Sequence, residues 1–382
     1  MRWNSDTIPE FIPSASNGFS INWESVYGFF PIIKELSDVP QNPNYHGEGD
    51  VLTHTRMVVE ALTSDQRWRK LRDDEQAELW LAALLHDIGK AKTTIEEIDG
   101  SLSSPNHSHT GARMAREILY THHQLQIPFN SRERIFNYIR HHGLPLWLLE
   151  RDDPRRLALL TSQKIKLHGL YLIAYNDILG RISNDTDKLI YSVELFREFC
   201  LEQNCYEKAF AFADPYTRYL FAQGKEIDPC FPAYDDTTNE VIMLSGLPGS
   251  GKDTWIHENG KDWPVISLDD IRRAMKISPT DNQGRVIQEA KEEARIFLRK
   301  KQPFIWNATN ISRSIRNPLT DLFMQYKARV KLVYLECPFD ELFQRNQERE
   351  SALPESAIMK LIKKLEVPEP FETHEVIYNT KH

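Results

Sequence analysis

The sequence predicts two domains, an all-α domain followed by an α/β domain built on a parallel sheet. Three observations carry that reading. The chain has 382 residues, beyond the ~100–200 of a single domain. Ten of its 13 histidines fall between His46 and His168, in a region of helical spacing where β-branched runs are scarce. After about residue 240, short apolar runs alternate with amphipathic segments, the pattern of a sheet covered by helices on both faces.

Taken in order, Met57, Val58, Ala61 and Leu62 recur at three- and four-residue spacing, which predicts a helix carrying His54. That spacing returns over residues 79–85 and 112–119, and further helices are expected over 131–141, 155–180 and 188–209. The all-α domain is placed at residues 1–224. Residues 225–239 hold two prolines and a cluster of Asp and Thr, and are expected to form a linker. The α/β domain, 240–382, shows strand-like runs at 241–244, 265–268, 304–306 and 330–335. Its helix-like segments are 253–259, 269–276, 285–301, 312–328 and 338–349.

Composition narrows the function classes. With 41% hydrophobic and 27% charged residues, the chain excludes wholesale disorder and collagen. No apolar run approaches the ~18 residues of a membrane helix, so no membrane partner is expected. The N-terminus shows neither the basic region nor the apolar core of a secretory signal. Cys200, Cys205, Cys230 and Cys337 make neither a disulfide framework nor a CxxC zinc pattern, which leaves the cytoplasm as the expected compartment. Residues 236–382 hold 22 basic and 22 acidic side chains, so residues 1–235 carry the whole net charge of −8. No broad basic face for long duplex DNA is indicated, whereas a local Arg/Lys pocket for a nucleotide or a nucleic-acid end remains open.

After the run Val241–Ser245 comes Gly246-Leu-Pro-Gly249-Ser250-Gly251-Lys252-Asp253-Thr254, a match to GxxxxGK. Its glycines let successive N–H groups face a β-phosphate at the start of the next helix, and Lys252 is expected to reach the β- and γ-phosphates. The expected ligand is ATP or another NTP with Mg²⁺. Composition alone gives about 0.1 chance matches in a chain of this length, and the flanking strand and helix make chance less adequate still. Asp253 stands where Ser or Thr usually follows the lysine, with Thr254 one place later; a carboxylate can hold Mg²⁺ directly or through water. Next, Ser267-Leu-Asp269-Asp270-Ile-Arg272 places an Asp at a strand end, suited to take a proton from an attacking hydroxyl. Arg272, one turn on, suits a substrate phosphate, while Arg345 and Arg349 suit a lid over the transferred phosphoryl group. The plain alternatives are helix capping by Asp269 and solvated surface arginines.

In the all-α half, His54, His86-Asp87, His107-Ser-His109, His141-His142 and Asp177 mix imidazole with carboxylate, which suits divalent transition metals. A carboxylate between two histidine sets can bridge two ions, and such a pair activates water and neutralises phosphate. Mn²⁺, Ni²⁺, Co²⁺, Fe²⁺ and Zn²⁺ all suit the donor set. Lys90, one turn beyond Asp87, is a candidate phosphate ligand or a solvated lysine. His122 and His123 read as surface residues.

Two resemblances rest on these residues. GLPGSGKDTW, SLDDIRR, NATN at Asn307–Asn310 and RNQER resemble, in that order, the 5′-hydroxyl polynucleotide kinase family. The resemblance implies that Gly246, Gly249, Ser250, Gly251, Lys252, Asp253, Thr254 and Arg345 bind the nucleotide. It also implies that Asp269 is the general base, that Arg272 contacts the acceptor-strand phosphate and that Arg349 is the lid arginine. Ala308 stands where the family's phage member has an aspartate, so that acceptor contact is expected to be absent or replaced. The order H…HD…H…H…D, with HDIGK and NDILGR, resembles the HD phosphohydrolase superfamily. By that resemblance His54, His86, Asp87 and Asp177 hold one metal, and Asp87, His109, His141 and His142 a second. His109 is preferred to His107 because it precedes the Thr-Gly-Ala step.

Together the halves resemble the bacterial HD–polynucleotide kinase end-healing enzymes. The implied function is hydrolysis of 2′,3′-cyclic and 2′/3′-phosphate ends and transfer of the ATP γ-phosphate to 5′-OH ends. RNA or DNA ends are the implied partners, with a nucleic-acid ligase acting downstream; no oligomeric state is implied. The rival readings are a nucleotide phosphohydrolase fused to a small-molecule P-loop kinase, and a non-enzymatic ATP-dependent sensor.

Overall fold

The computed structural model describes residues 3, 8–260, 262–278, 281–348 and 352–380. It divides into two compact units, Met1–Phe210 and Ala211–His382. The first is helical, apart from a small antiparallel hairpin pairing Ile95–Glu96 with Leu102–Ser103. Its main helices are α1 (Val51–Ser64), α2 (Asp73–Leu85), α3 (His107–Thr121), α4 (Phe129–His141), α5 (Leu167–Leu179) and α6 (Thr186–Glu202).

Local chemistry explains these boundaries. Asp50 caps α1 by accepting hydrogen bonds from the Thr53 N–H and the Thr53 hydroxyl, each at 2.8 Å. Every residue of α2 from Gln76 to Leu85 is buried, so α2 is the central helix, enclosed on all sides. The helical stretch expected over 155–180 is broken. Pro154–Ser162 forms one helix and α5 another, because the Ser162 hydroxyl turns back to the Leu159 carbonyl at 2.6 Å and Lys166 is extended.

The second unit opens with α7 (Pro215–Ala222), capped by Asp214. Five parallel strands follow: β1 (Asn239–Ser245), β2 (Val265–Ser267), β3 (Phe304–Asn307), β4 (Ala328–Glu336) and β5 (Glu375–Thr380). Their order across the sheet is β2-β3-β1-β4-β5. The crossover helices are α8 (Lys252–Asn259), α9 (Leu268–Ala274), α10 (Gly284–Arg299), α11 (Arg313–Gln325), α12 (Phe339–Gln347) and α13 (Glu355–Lys363). One face buries Val241, Met243, Phe304, Trp306, Val330 and Leu332 under α10 and α11, and the other buries Leu244, Ile305 and Val333. The three inner strands β1, β3 and β4, largely buried on both faces, read as continuous apolar runs, and the edge strand β2 still showed Val265 and the buried Ile266. The fifth, β5, is half-buried throughout, and its sequence EVIYNT lacks such a run.

Candidate functional site

In the helical unit, close backbone approach gathers the side chains. Asp87 lies in the turn just after α2, and Gly89 follows it. A Cβ at Gly89 would overlap the His107 carbonyl oxygen and lie 2.6 Å from the Gly111 nitrogen. Only glycine lets the start of α3 come this close, and the approach brings His107 to Asp87. Gly180 acts likewise at the end of α5, where a Cβ would lie 2.7 Å from the Val58 nitrogen. That contact seats α5 on α1 and brings Asp177 to His54.

The result is a buried constellation. His54 Nε2 lies 3.0 Å from Asp177 Oδ1 and 3.7 Å from Asp87 Oδ2. His86 Nε2 lies 3.1 Å from Asp87 Oδ2 and 4.0 Å from Asp177 Oδ1. On the other side, His107 Nε2 lies 3.5 Å from Asp87 Oδ1 and 3.4 Å from His142 Nε2. Asp87 thus presents one oxygen to each of two histidine sets. Ligand atoms of His54, His86 and Asp87, and those of Asp87, His107 and His142, each lie within 4.8 Å of one another.

The tautomers are fixed from outside. His54 Nδ1 is bonded to the Gly180 carbonyl at 3.1 Å, His86 Nδ1 to Ala83 at 2.7 Å, His107 Nδ1 to Ser104 at 2.9 Å and His142 Nδ1 to Ile139 at 2.8 Å. With Nδ1 donating to a carbonyl, each Nε2 turns a lone pair inward. His54 Nε2, His86 Nε2 and Asp87 Oδ1 are buried and have no hydrogen-bond partner. Orphaned acceptors in a buried cluster of this composition fit divalent cations, since leaving them unmet is costly.

Electrostatics agree. Burial would raise the Asp87 carboxyl, but His86 and Lys90 outweigh it and hold the group well below the usual carboxylate range. Asp177 is likewise held low against burial by Arg181, whose Nη2 sits 2.5 Å from Asp177 Oδ2. Burial pushes His142 down to about 3, with help from His86 and His107, so the ring stays neutral and able to ligate. Lys90 Nζ lies 2.8 Å from Asp87 Oδ2 and 2.7 Å from Gln41 Oε1, so it is a member of the cluster and not a solvated lysine.

Two expected ligands are in none of the three potential metal-holding groups among the described residues. His141 Nε2 lies 3.1 Å from Lys164 Nζ, and burial together with Lys164 lowers its pKa; one residue along the helix from His142, it faces a different neighbour. His109 is outside the three potential metal-holding groups among the described residues, and His107 takes the place expected of it. The reason lies in helix geometry. His107 is the first residue of α3, packed on Gly89, and a residue two positions on points about 200° around the helix. Sequence reasoning also passed over His46 and Glu48, which form a third group with His54. Their signal was a His-x-Glu just before the capped helix of His54. His122, read as a surface residue, stacks on Phe29 with ring centroids 5.7 Å apart.

The second unit holds the phosphate loop at the carboxyl end of the central strand β1, where α/β sheets bind ligands. Gly251 caps α8 in the left-handed region at φ 95°. Lys252 Nζ donates to the loop's own carbonyls, Gly246 at 3.0 Å and Leu247 at 2.9 Å. Ser250 Oγ is buried in the loop without a hydrogen-bond partner. Arg345 Nη1 reaches the Gly249 carbonyl at 3.4 Å while the other end of the guanidinium pairs with Glu341. Asp253 Oδ1 accepts from Asn307 Nδ2 at 2.9 Å, at the end of β3, and Thr254 is exposed. Ser267 of β2 pairs in register with Asn307, which sets Asp269 two residues beyond that point. Ser267, not Asp269, caps α9, and Asp269 pairs with Arg272, itself bonded to Gln283 at 2.7 Å. Arg349 lies outside the described residues.

Comparison with known proteins assigns both halves. Residues 51–167 match the family model of the HD domain, and residues 241–368 that of an AAA domain. The chain joins a segment matching the HD domain to one matching a P-loop AAA domain. Relatives include the Multifunctional CCA protein of Halorhodospira halophila, 36% identical over 88 residues, which is 23% of this chain and 19% of the relative. That of Acinetobacter baumannii ATCC 17978 is 27% identical over 113 residues, 30% of this chain and 24% of the relative. The similarity therefore spans about a fifth to a quarter of those relatives. Among solved structures, a sugar kinase from Janibacter sp. HTCC2649 is similar at 19% identity over 37% of this chain and 85% of its own, with a TM-score of 0.30. A gluconokinase from Sinorhizobium meliloti 1021 is similar at 17% identity over 38% and 83%, with a TM-score of 0.28. No helix among the described residues is long and apolar enough to cross a membrane.

Proposed function

We propose that the chain heals broken nucleic-acid ends, the HD domain removing a 2′,3′-cyclic or terminal phosphate and the kinase domain phosphorylating a 5′-hydroxyl. The observation that carries the reading is Asp87, whose two oxygens face two histidine sets, on the same chain as a phosphate loop followed by the strand that leads to the Asp269–Arg272 pair. His54, His86, Asp87 and Asp177 would hold one divalent ion, and Asp87, His107 and His142 a second. Such ions supply an acidified water and neutralise phosphate charge. Around them, Lys90 and Arg181 are placed to pair with non-bridging phosphate oxygens, each by exchanging its present carboxylate partner for the substrate. Water's oxygen bonds to phosphorus as a P–O ester bond breaks, first opening the cyclic diester and then releasing phosphate.

In the kinase domain, the loop N–H groups and Lys252 hold the β- and γ-phosphates once Lys252 leaves its own loop carbonyls. Asp253, oriented by Asn307, is the carboxylate available to Mg²⁺. Arg272 takes the acceptor phosphate and releases Asp269, which accepts the proton of the 5′-OH as its oxygen bonds to the γ-phosphorus and ADP departs. Arg345, whose guanidinium reaches the loop's Gly249 carbonyl, would pair with the transferred group, the role the family resemblance also gives to Arg349. The whole rests on positioning and charge neutralisation.

The test uses a short RNA bearing a 5′-OH and a 2′,3′-cyclic phosphate, with ATP, Mg²⁺ and Mn²⁺, and mass spectrometry of both ends. Gain of a 5′-phosphate with loss of the 3′-terminal phosphate is expected. Unchanged ends, with turnover of mononucleosides or small metabolites instead, would replace the polynucleotide reading with that of a small-molecule kinase.

A further inference from the structure

We infer that Glu48 is a positioning residue for the HD centre, orienting His54 and locking the segment that follows Asp177; this rests on reading the cluster as a metal site. The Glu48 side chain is fully buried, although it lies in the loop before α1. Its Oε1 is 2.8 Å from His46 Nδ1 and 2.9 Å from His54 Nδ1. Its Oε2 accepts from the Ile182 N–H at 2.9 Å. The adjacent Gly47 N–H donates to the Ile182 carbonyl at 2.8 Å, so the loop and the 180–182 segment are joined in both directions.

These contacts converge on one imidazole. The His54 Nδ1–H is shared between the Gly180 carbonyl, at 3.1 Å, and the Glu48 carboxylate. Glu48 also fixes the backbone that presents that carbonyl. A carboxylate behind Nδ1 makes Nε2 a stronger donor and fixes the ring's rotation, and Nε2 is the atom aimed at Asp87 and Asp177. His86, His107 and His142 have backbone carbonyls behind their Nδ1 atoms. Among the described residues, His54 is the one of the four with a carboxylate there as well. Removing Glu48 therefore weakens the position built by His54, His86, Asp87 and Asp177, and spares the one built by Asp87, His107 and His142.

The experiment is a Co²⁺ titration of the full metal-stripped chain, followed by calorimetry and visible absorption, with Glu48→Gln and Glu48→Ala beside the parent. Outer-shell partners of metal-bound histidine are worth about 10–100-fold in affinity. Glu48→Ala should weaken one Co²⁺ site by that factor and shift its absorption bands. Glu48→Gln, which keeps an acceptor without the charge, should show a smaller loss. Far-ultraviolet circular dichroism and the metal-free melting temperature, read on the same preparations, report folding of the helical unit. Equal Co²⁺ affinities and spectra in all three proteins would overturn the inference, and a lowered metal-free melting temperature with unchanged Co²⁺ binding would reduce Glu48 to a structural brace. Failure of the parent to bind Co²⁺ would overturn the metal reading itself, and the inference with it.

Discussion

In the HD domain, the side chains of His54, His86, Asp87 and Asp177 are at most 2% exposed and are aimed at one another before any ligand arrives. In the P-loop domain, the Asp269 side chain is 63% exposed and paired with Arg272, while Lys252 is engaged with the carbonyls of its own loop. One site is ordered by the fold of helices around it, and its polar atoms have already been desolvated. The other is ordered by backbone, and its side chains are engaged with protein partners that the proposed nucleotide and acceptor would displace. The contrast separates a centre whose strength is set at folding from one whose strength is set at binding.

The largest effect should come from the atom set shared by both metal positions. Asp87→Asn leaves one oxygen facing two histidine sets and removes the charge that their cations would meet. Phosphate-end hydrolysis should fall at least about 10³-fold, since the ions contribute several kcal/mol of charge stabilisation. Kinase turnover on the same chain should be unchanged. Lys252→Ala should do the reverse, costing about 10²–10³-fold in phosphoryl transfer, the scale seen for loss of one electrostatic donor. Both activities measured on each variant test the comparison; either substitution removing both would break it.

Much of this was legible in the sequence, and for a physical reason. The phosphate loop is a local motif: Gly246 to Thr254 are consecutive, so spacing alone placed Lys252 against the loop. Strands β1, β3 and β4 carried apolar runs because both of their faces are largely buried, and the edge strand β2 was marked by Val265 and the buried Ile266. The metal centre is non-local, and there the sequence yielded the members but not every identity. His54, His86, Asp87, His142 and Asp177 lie in the cluster, whereas His109 and His141 gave way to His107 and to a place beside Lys164. Nearby histidines on one helix differ only in direction, and for His107 and His109 that direction is set by the contact of Gly89 with α3. Glu48 stayed hidden because nothing local marks a loop glutamate as fully buried. Strand β5, half-buried on the sheet's edge, had no run to read.

A narrower test follows from that correction. His107→Ala should cost tenfold or more in hydrolysis and in the affinity of the second metal position, whereas His109→Ala should leave both within about twofold. Measured side by side, the two variants decide which helix face builds the centre. The reverse ranking would restore the sequence-based choice of His109.

The smallest expected effect asks whether burial alone gives a histidine a chemical role. His374, in the P-loop domain, is as buried as His54, yet it stacks on Tyr216 with centroids 4.9 Å apart and accepts from the Val330 N–H at 3.2 Å. No carboxylate oxygen lies within ion-pairing distance of it among the described residues. Burial, aided by Arg329, lowers its pKa from 6.5 to about 4. Between those values the unfolded chain takes up a proton that the folded one refuses, so stability is full above pH 6.5 and falls as pH drops toward 4. The loss should be on the order of 3 kcal/mol across that window. It should appear in the thermal transition that ATP and Mg²⁺ shift, which marks this domain, and be flattened in His374→Gln, whose amide oxygen can still accept from Val330. Kinase turnover at pH 7.5 should be unaffected. A steep loss of turnover at that pH would mean that this histidine serves the reaction, and the division between a structural imidazole here and ligating ones in the HD domain would fail.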